Sequence, residues 1–103
     1  DSPAVAARNL RRQLESLHGK QDPATIEAAW PHLNSSDRAI RYAARVAIEH
    51  QDPKLWAEKA LAEKRTTAVI QALVALARTG DKSLALELER RGYDWVRQEA
   101  QVA

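Results

Sequence analysis

The side chains of this 103-residue chain that could do chemistry are histidines, carboxylates and arginines, because the sequence holds no Cys, Met or Phe. A thiolate nucleophile, a disulfide and a Cys-ligated metal are thereby excluded. His18, His32 and His50 fall near expected helix ends and never at i, i+4 on one helix, the spacing that points two imidazoles at one metal ion. Helix-end interactions suit them better, and no metal is expected. Asp22 and Asp52 each precede a proline, which reads as a helix cap whose carboxylate already has a structural role. No paired acid and base or activated nucleophile remains, so neither an enzyme nor a cofactor is expected. The arginines are more informative. Arg8 and Arg11 recur 30 residues later as Arg38 and Arg41, with Arg45 one turn further on. Guanidinium groups in such rows suit phosphate or an acidic partner, and the competing reading is a solvated face partly neutralised by Glu15 and Glu49.

Composition sets the frame for these rows. With 45% apolar and 29% charged residues the chain is one globular domain or a piece of one, its core built from Ala, Leu, Val, Ile and three Trp. A net charge of +2 is too small to imply nucleic acid by itself. No apolar run approaches the ~20 residues of a membrane span. The chain opens on Asp1 rather than Met, and is expected to be a processed or excised part of a longer protein.

Helices must carry the candidate groups. Ser2-Pro3 opens a helix predicted over about 3–18, with Ala6, Leu10, Leu14 and Leu17 inward, Arg8, Arg11, Arg12 and Glu15 opposite, and Gly19 closing it. Asp22-Pro23 opens a second, 23–33, on Ile26, Ala29, Trp30 and Leu33, which Pro31 should kink or end. Asn34 to Asp37 is a turn and cap leading into 37–50, where Ile40, Ala44, Ala47 and Ile48 form one side. Tyr42, Ala43 and Val46 widen that arc and leave Arg38, Arg41, Arg45 and Glu49 as the polar stripe. Asp52-Pro53 opens a fourth helix, 53–63, with Leu55, Trp56, Ala60 and Leu61. Residues 66–77 are apolar at nearly every position, Gln71 apart, and predict a helix over 66–78 that is enclosed on every side and central to the chain. Leu84, Leu86 and Leu88 alternate as in a strand, but Leu, Ala and Glu favour helix over 83–91, and Asp94 caps a last helix, 94–102.

The Asp-Pro entries stand 30 residues apart and Gly80-Asp81 follows after about 28 more, with polar and enclosed helices alternating between them. That is an internal repeat of helix pairs. It predicts an all-α fold, a right-handed α-solenoid of period about 28–30 residues occupying 1–103 as a single domain, with an irregular helical bundle as the alternative. Its last helix stops before its stripe is complete, so Trp95 is expected at an interface with a following domain or a second copy of the chain, or else folded back onto Leu84 and Leu88.

Residues 26–33, IEAAWPHL, followed by Ser35, Asp37, Ile40-Arg41, Ala43-Ala44 and Ala47-Ile48, resemble a HEAT repeat. Residues 53–78 follow the same pattern with Val69 where Arg41 stood, and 83–102 follow it more loosely. Ser35 occupies the place of the family's inter-repeat Asp, which leaves Asp37 as a cap. The resemblance implies that the second helices line a concave surface, with Arg8, Arg11, Arg38, Arg41 and Arg45 along it. The stretches RRQLESLHGKQDP and DRAIRYAARVAIEHQ are also similar to HEAT segments of very large exported bacterial proteins with dehydrogenase-like propeller and c-type haem domains. That implies a periplasmic or exported linker solenoid. The functional expectation is a non-catalytic protein-interaction or spacer module whose partner is another protein or a neighbouring domain. Binding of nucleic acid or a phosphate backbone through a basic concave face is the alternative. Against it, Thr66, Val69 and Leu73 stand where Arg38, Arg41 and Arg45 would recur.

Overall fold

The computed structural model describes residues 2–79 together with 82, 83, 86, 87 and 89–91. Among the described residues every regular element is helical. In chain order these are α1 (Pro3–Glu15), α2 (Ala24–Ala29), a 3-10 turn (Trp30–Asn34), α3 (Arg38–Glu49), a second 3-10 turn (Pro53–Leu55), α4 (Ala57–Ala62) and α5 (Thr66–Thr79). Residues 82, 83, 86, 87 and 89–91 are also helical, which decides against a strand there. The expected helix 94–102, Trp95, Leu84, Leu88, Gly80 and Asp81 lie outside the described residues.

Local chemistry explains where the helices start and stop. Ser2 Oγ accepts the Val5 N–H at 3.2 Å with Pro3 in the first turn of α1. That helix ends at Glu15, short of 18, because the next N–H groups reach back only three residues: Leu17 to Leu14 at 3.0 Å and His18 to Glu15 at 3.1 Å. Gly19 then adopts φ 79°, a left-handed conformation without penalty only for glycine. The expected helix 23–33 is divided, since Pro31 has no N–H to continue the α-helical ladder and the chain tightens into the 3-10 turn at Trp30. The expected helix 53–63 is divided too, at Trp56, whose φ of −127° and ψ of 4° interrupt it. Asp37 caps α3 through the Ala39 and Ile40 N–H groups, at 2.9 and 3.2 Å.

The central helix is α3. It packs against α1, α2, the Trp30–Asn34 turn and α5. A helix approached from several sides needs small inward residues, and Ala43, Ala44 and Ala47 are each at most 1% exposed, with Ile40 and Ile48 filling the corners. The enclosed, central role expected of residues 66–78 is therefore corrected. In α5 only Ala68, Ala72, Ala75 and Leu76 are buried, Val69, Leu73 and Val74 are half-buried, and Ile70 is 51% exposed. Tyr42 and Leu55, which the apolar patterning would place inward, are each 55% exposed.

Polar clamps join successive helices. The buried Gln51 accepts the Asp22 N–H at 3.0 Å and donates to the Lys20 carbonyl at 2.7 Å, so the entry to α2 is tied to the end of α3. Trp56, fully buried, donates its indole N–H to the Gln51 carbonyl at 3.4 Å, and its ring lies 6.1 Å from that of Trp30.

The division of α5 into a buried and an outward side is open to measurement by urea denaturation. Leu76→Ala should cost about 2–5 kcal/mol through the cavity it leaves. Ile70→Lys should change stability by less than ~0.5 kcal/mol. The reverse ranking would restore an α5 enclosed on every side.

Candidate functional site

On α3 the residues Arg38, Arg41, Tyr42, Arg45 and Glu49 share an arc of about 100°, pointing directly away from Ile40, Ala43, Ala44 and Ala47. The same offsets on α1 bring Arg8, Arg11, Arg12 and Glu15 opposite Leu10 and Leu14. On α5 they bring Thr66, Val69, Ile70, Leu73 and Ala77 opposite Ala68, Ala72 and Ala75.

Contacts at the helix ends show that α3 and α5 run side by side, and α1 packs on α3 as well. Near their N-terminal ends, Arg65 Nη1 donates to the Pro31 carbonyl at 3.5 Å, within the Trp30–Asn34 turn, and Arg41 Nη1 to the carbonyl of Ser35, which caps that turn, at 2.9 Å. At their C-terminal ends, Arg78 Nε of α5 donates to Glu49 Oε1 of α3 at 3.0 Å. The two helices are thus parallel, offset by about 29 residues at this end. The turn that follows α1 lies against α3, where His18 Nε2 donates to the Ala43 carbonyl at 2.8 Å and its ring is 6.2 Å from His50.

Charge is concentrated on this layer. The helices α1, α3 and α5 carry Arg8, Arg11, Arg12, Arg38, Arg41, Arg45 and Arg78 against Glu15 and Glu49, an excess of five in a chain whose total is +2. Three of the five arginines singled out from the sequence are engaged by the fold. Arg11 Nε lies 4.0 Å from Glu15. Arg41 holds the Ser35 carbonyl. Arg45 lies 5.3 Å over the Tyr42 ring with its Nε 3.8 Å from Glu49. Arg8 and Arg38 are exposed, with no side-chain partner among the described residues. Glu49, 11% exposed, sits between Arg45 and Arg78, and its hydrogen bond holds the Arg78 guanidinium above its already high pKa.

Asp22 accepts the Ala24 N–H and Asp52 the Lys54 N–H, each at 3.0 Å, but Asp52 caps the Pro53–Leu55 3-10 turn and the N-cap of α2 itself falls at Pro23, one residue inside Asp22. Among the described residues no group of three or more His, Asp or Glu is placed to hold a metal ion, and no helix is long and apolar enough to cross a membrane. Trp95 lies outside the described residues.

Glu63 is the residue that sequence reasoning missed. Its side chain is 9% exposed and accepts from Arg65 Nε and Nη2 at 3.0 and 2.8 Å, from the Lys64 and Arg65 N–H groups at 3.1 and 3.0 Å, and from Trp30 Nε1 at 2.9 Å. The Arg65 hydrogen bond, opposed by desolvation and helped by the backbone and indole donors, lowers its pKa from 4.5 to about 2. Ser35 does the same 28 residues earlier, accepting the Asp37 N–H at 3.1 Å. The signal in the sequence was an acid two residues before an arginine at the end of a short helix. Set against known protein families, curated proteins and solved structures, the chain matches none of them.

The depressed pKa of Glu63 gives an acid limb to stability. Its contribution is complete above about 4.5 and is lost as pH falls toward about 2. Glu63→Gln keeps an acceptor for Trp30 but gives up the charged pair, and should cost about 1–3 kcal/mol at neutral pH. Denaturation of both proteins across that range should show the variant's acid limb flattened; parallel curves would remove Glu63 as its source.

Proposed function

We propose that this chain is a non-catalytic helical-repeat module of HEAT type, part of a larger protein, that binds a protein partner or neighbouring domain through the outward face of α1, α3 and α5. The observation that carries this reading is the outward stripe itself. It recurs at the same offsets on three helices, cationic on α1 and α3 and mostly apolar on α5, while the inward stripes stay apolar throughout. A fold built only to space two domains has no need of such a gradient. The dimensions support a solenoid: 46 × 31 × 18 Å, with a radius of gyration of 14.4 Å. A compact domain of about 100 residues has about 13 Å. The most enclosed acids, Glu49 and Glu63, are each paired with arginine, which suits structure rather than catalysis.

The second reading, binding of nucleic acid or another phosphate backbone, is favoured by the exposed and unpartnered Arg8 and Arg38. It is disfavoured by α5, where Thr66, Val69 and Leu73 interrupt the row of cations.

Selection from a phage-displayed random-peptide library tests the first reading without presuming the ligand's chemistry. The parent protein should enrich a family of sequences that is lost with the surface variant Arg8→Ala, Arg38→Ala, Tyr42→Ala, Ile70→Ala. Circular dichroism should show that variant folded. Equal enrichment by both proteins, or none by either, would count against this face as a protein-binding surface.

A further inference from the structure

We infer that the partner segment is an acidic amphipathic helix, seated along α3 and α5 with its apolar side on Ile70 and Tyr42 and its carboxylates over Arg38 and Arg8. The inference rests on the protein-binding reading above and adds the partner's chemistry. The face has two lanes. On α1 and α3 the outward positions are cationic, and Arg8 and Arg38 have no side-chain partner among the described residues. On α5 Val69, Ile70 and Leu73 take the equivalent positions, with Ile70 51% exposed, and on the parallel α3 Tyr42 is 55% exposed. Helices packed side by side lie about 8–10 Å apart, so a partner helix of about 10 Å diameter resting between α3 and α5 covers the apolar lane and brings one edge over the cationic one. Charge complementarity then fixes its sign and orientation.

Other occupants fit less well. A nucleic-acid backbone would meet Val69, Ile70 and Leu73 along the middle of α5, with Arg78 only at its C-terminal end and paired with Glu49. A bilayer needs apolar groups that protrude, whereas Val69 and Leu73 are half-buried and lie within the surface, to be reached by side chains that a partner brings. Guanidinium forks suit carboxylates bidentately.

Four probes decide the matter: a blocked peptide of Glu, Leu and Ala patterned as an amphipathic helix, the same composition scrambled, a single-stranded DNA of equal charge, and vesicles of phosphatidylglycerol and phosphatidylcholine. Fluorescence anisotropy on the labelled peptides and DNA, with co-sedimentation for vesicles, should show the patterned peptide bound about tenfold or more tighter than the scrambled one. Ile70→Asp should erase that preference, and Tyr42→Ser should weaken it if the first variant does not fold. Arg8→Glu with Arg38→Glu should weaken both peptides and flatten the salt dependence. Equal binding of patterned and scrambled peptides, tighter binding of DNA or vesicles, or no binding at all would each overturn the inference. If the library selection instead enriches peptides of another chemistry on the same face, the protein-binding reading stands and this inference alone falls.

Discussion

The packing around α3 is the constraint on which the rest depends. A helix with neighbours on several sides can be approached only if its inward residues are small, and Ala43, Ala44 and Ala47 meet that requirement with nothing larger than isoleucine beside them. The facing helices answer in kind, through Ala29, Ala68, Ala72 and Ala75, each at most 1% exposed. With no Phe or Met to fill gaps, the large volumes are left to Trp30 and Trp56, which meet at 6.1 Å where successive helix pairs join. Close backbones in one place and paired indoles in another are two halves of one solution. The alanine seams bring parallel helices together, and the tryptophans fill the space their short partners leave.

Polar groups then fix the register that apolar packing leaves loose. Alanine surfaces slide over one another at little cost, since they lack the shape that locks larger side chains. Gln51 and Glu63 supply directional bonds instead, the first binding the start of α2 to the end of α3 and the second joining Trp30 to the start of α5. The Glu49–Arg78 pair aligns the far ends of α3 and α5. The Gln51 and Glu63 clamps sit where a turn or a helix end leaves backbone groups without an α-helical partner, so they satisfy the chain as well as aligning it.

Much of this was legible in the sequence, for reasons that differ by residue. The caps at Ser2, Asp22, Asp37 and Asp52 and the turn at Gly19 are local, because each bond spans three residues or fewer, and they stand where they were read. The inward stripes of α1 and α3 followed from helical period. What the sequence misassigned was tertiary. An apolar stretch such as residues 66–77 states what its side chains tolerate and not which neighbours reach them, so Ile70 and Tyr42 were read inward and stand outward. Gln51's bond to Asp22 and Glu63's bond to Trp30 reach groups 29 and 33 residues away, and no local pattern encodes such a partner, whereas Glu63's pairing with Arg65 is local. The arginine rows were visible as spacing, but only geometry separates Arg41 and Arg45, held by the fold, from Arg8 and Arg38, which are not.

The outward face of α1, α3 and α5 carries its positive charge entirely as arginine. Lys20, Lys54, Lys59, Lys64 and Lys82 all lie off these helices, and so do His18, His32 and His50. Guanidinium stays protonated across the physiological range and is not a substrate for the acylation that neutralises lysine. The charge of these arginines is therefore insensitive to moderate acidification and to lysine acetylation alike. Arginine methylation would preserve its charge while blocking the paired donors of the fork, altering what the face can grip without altering how strongly it attracts from a distance.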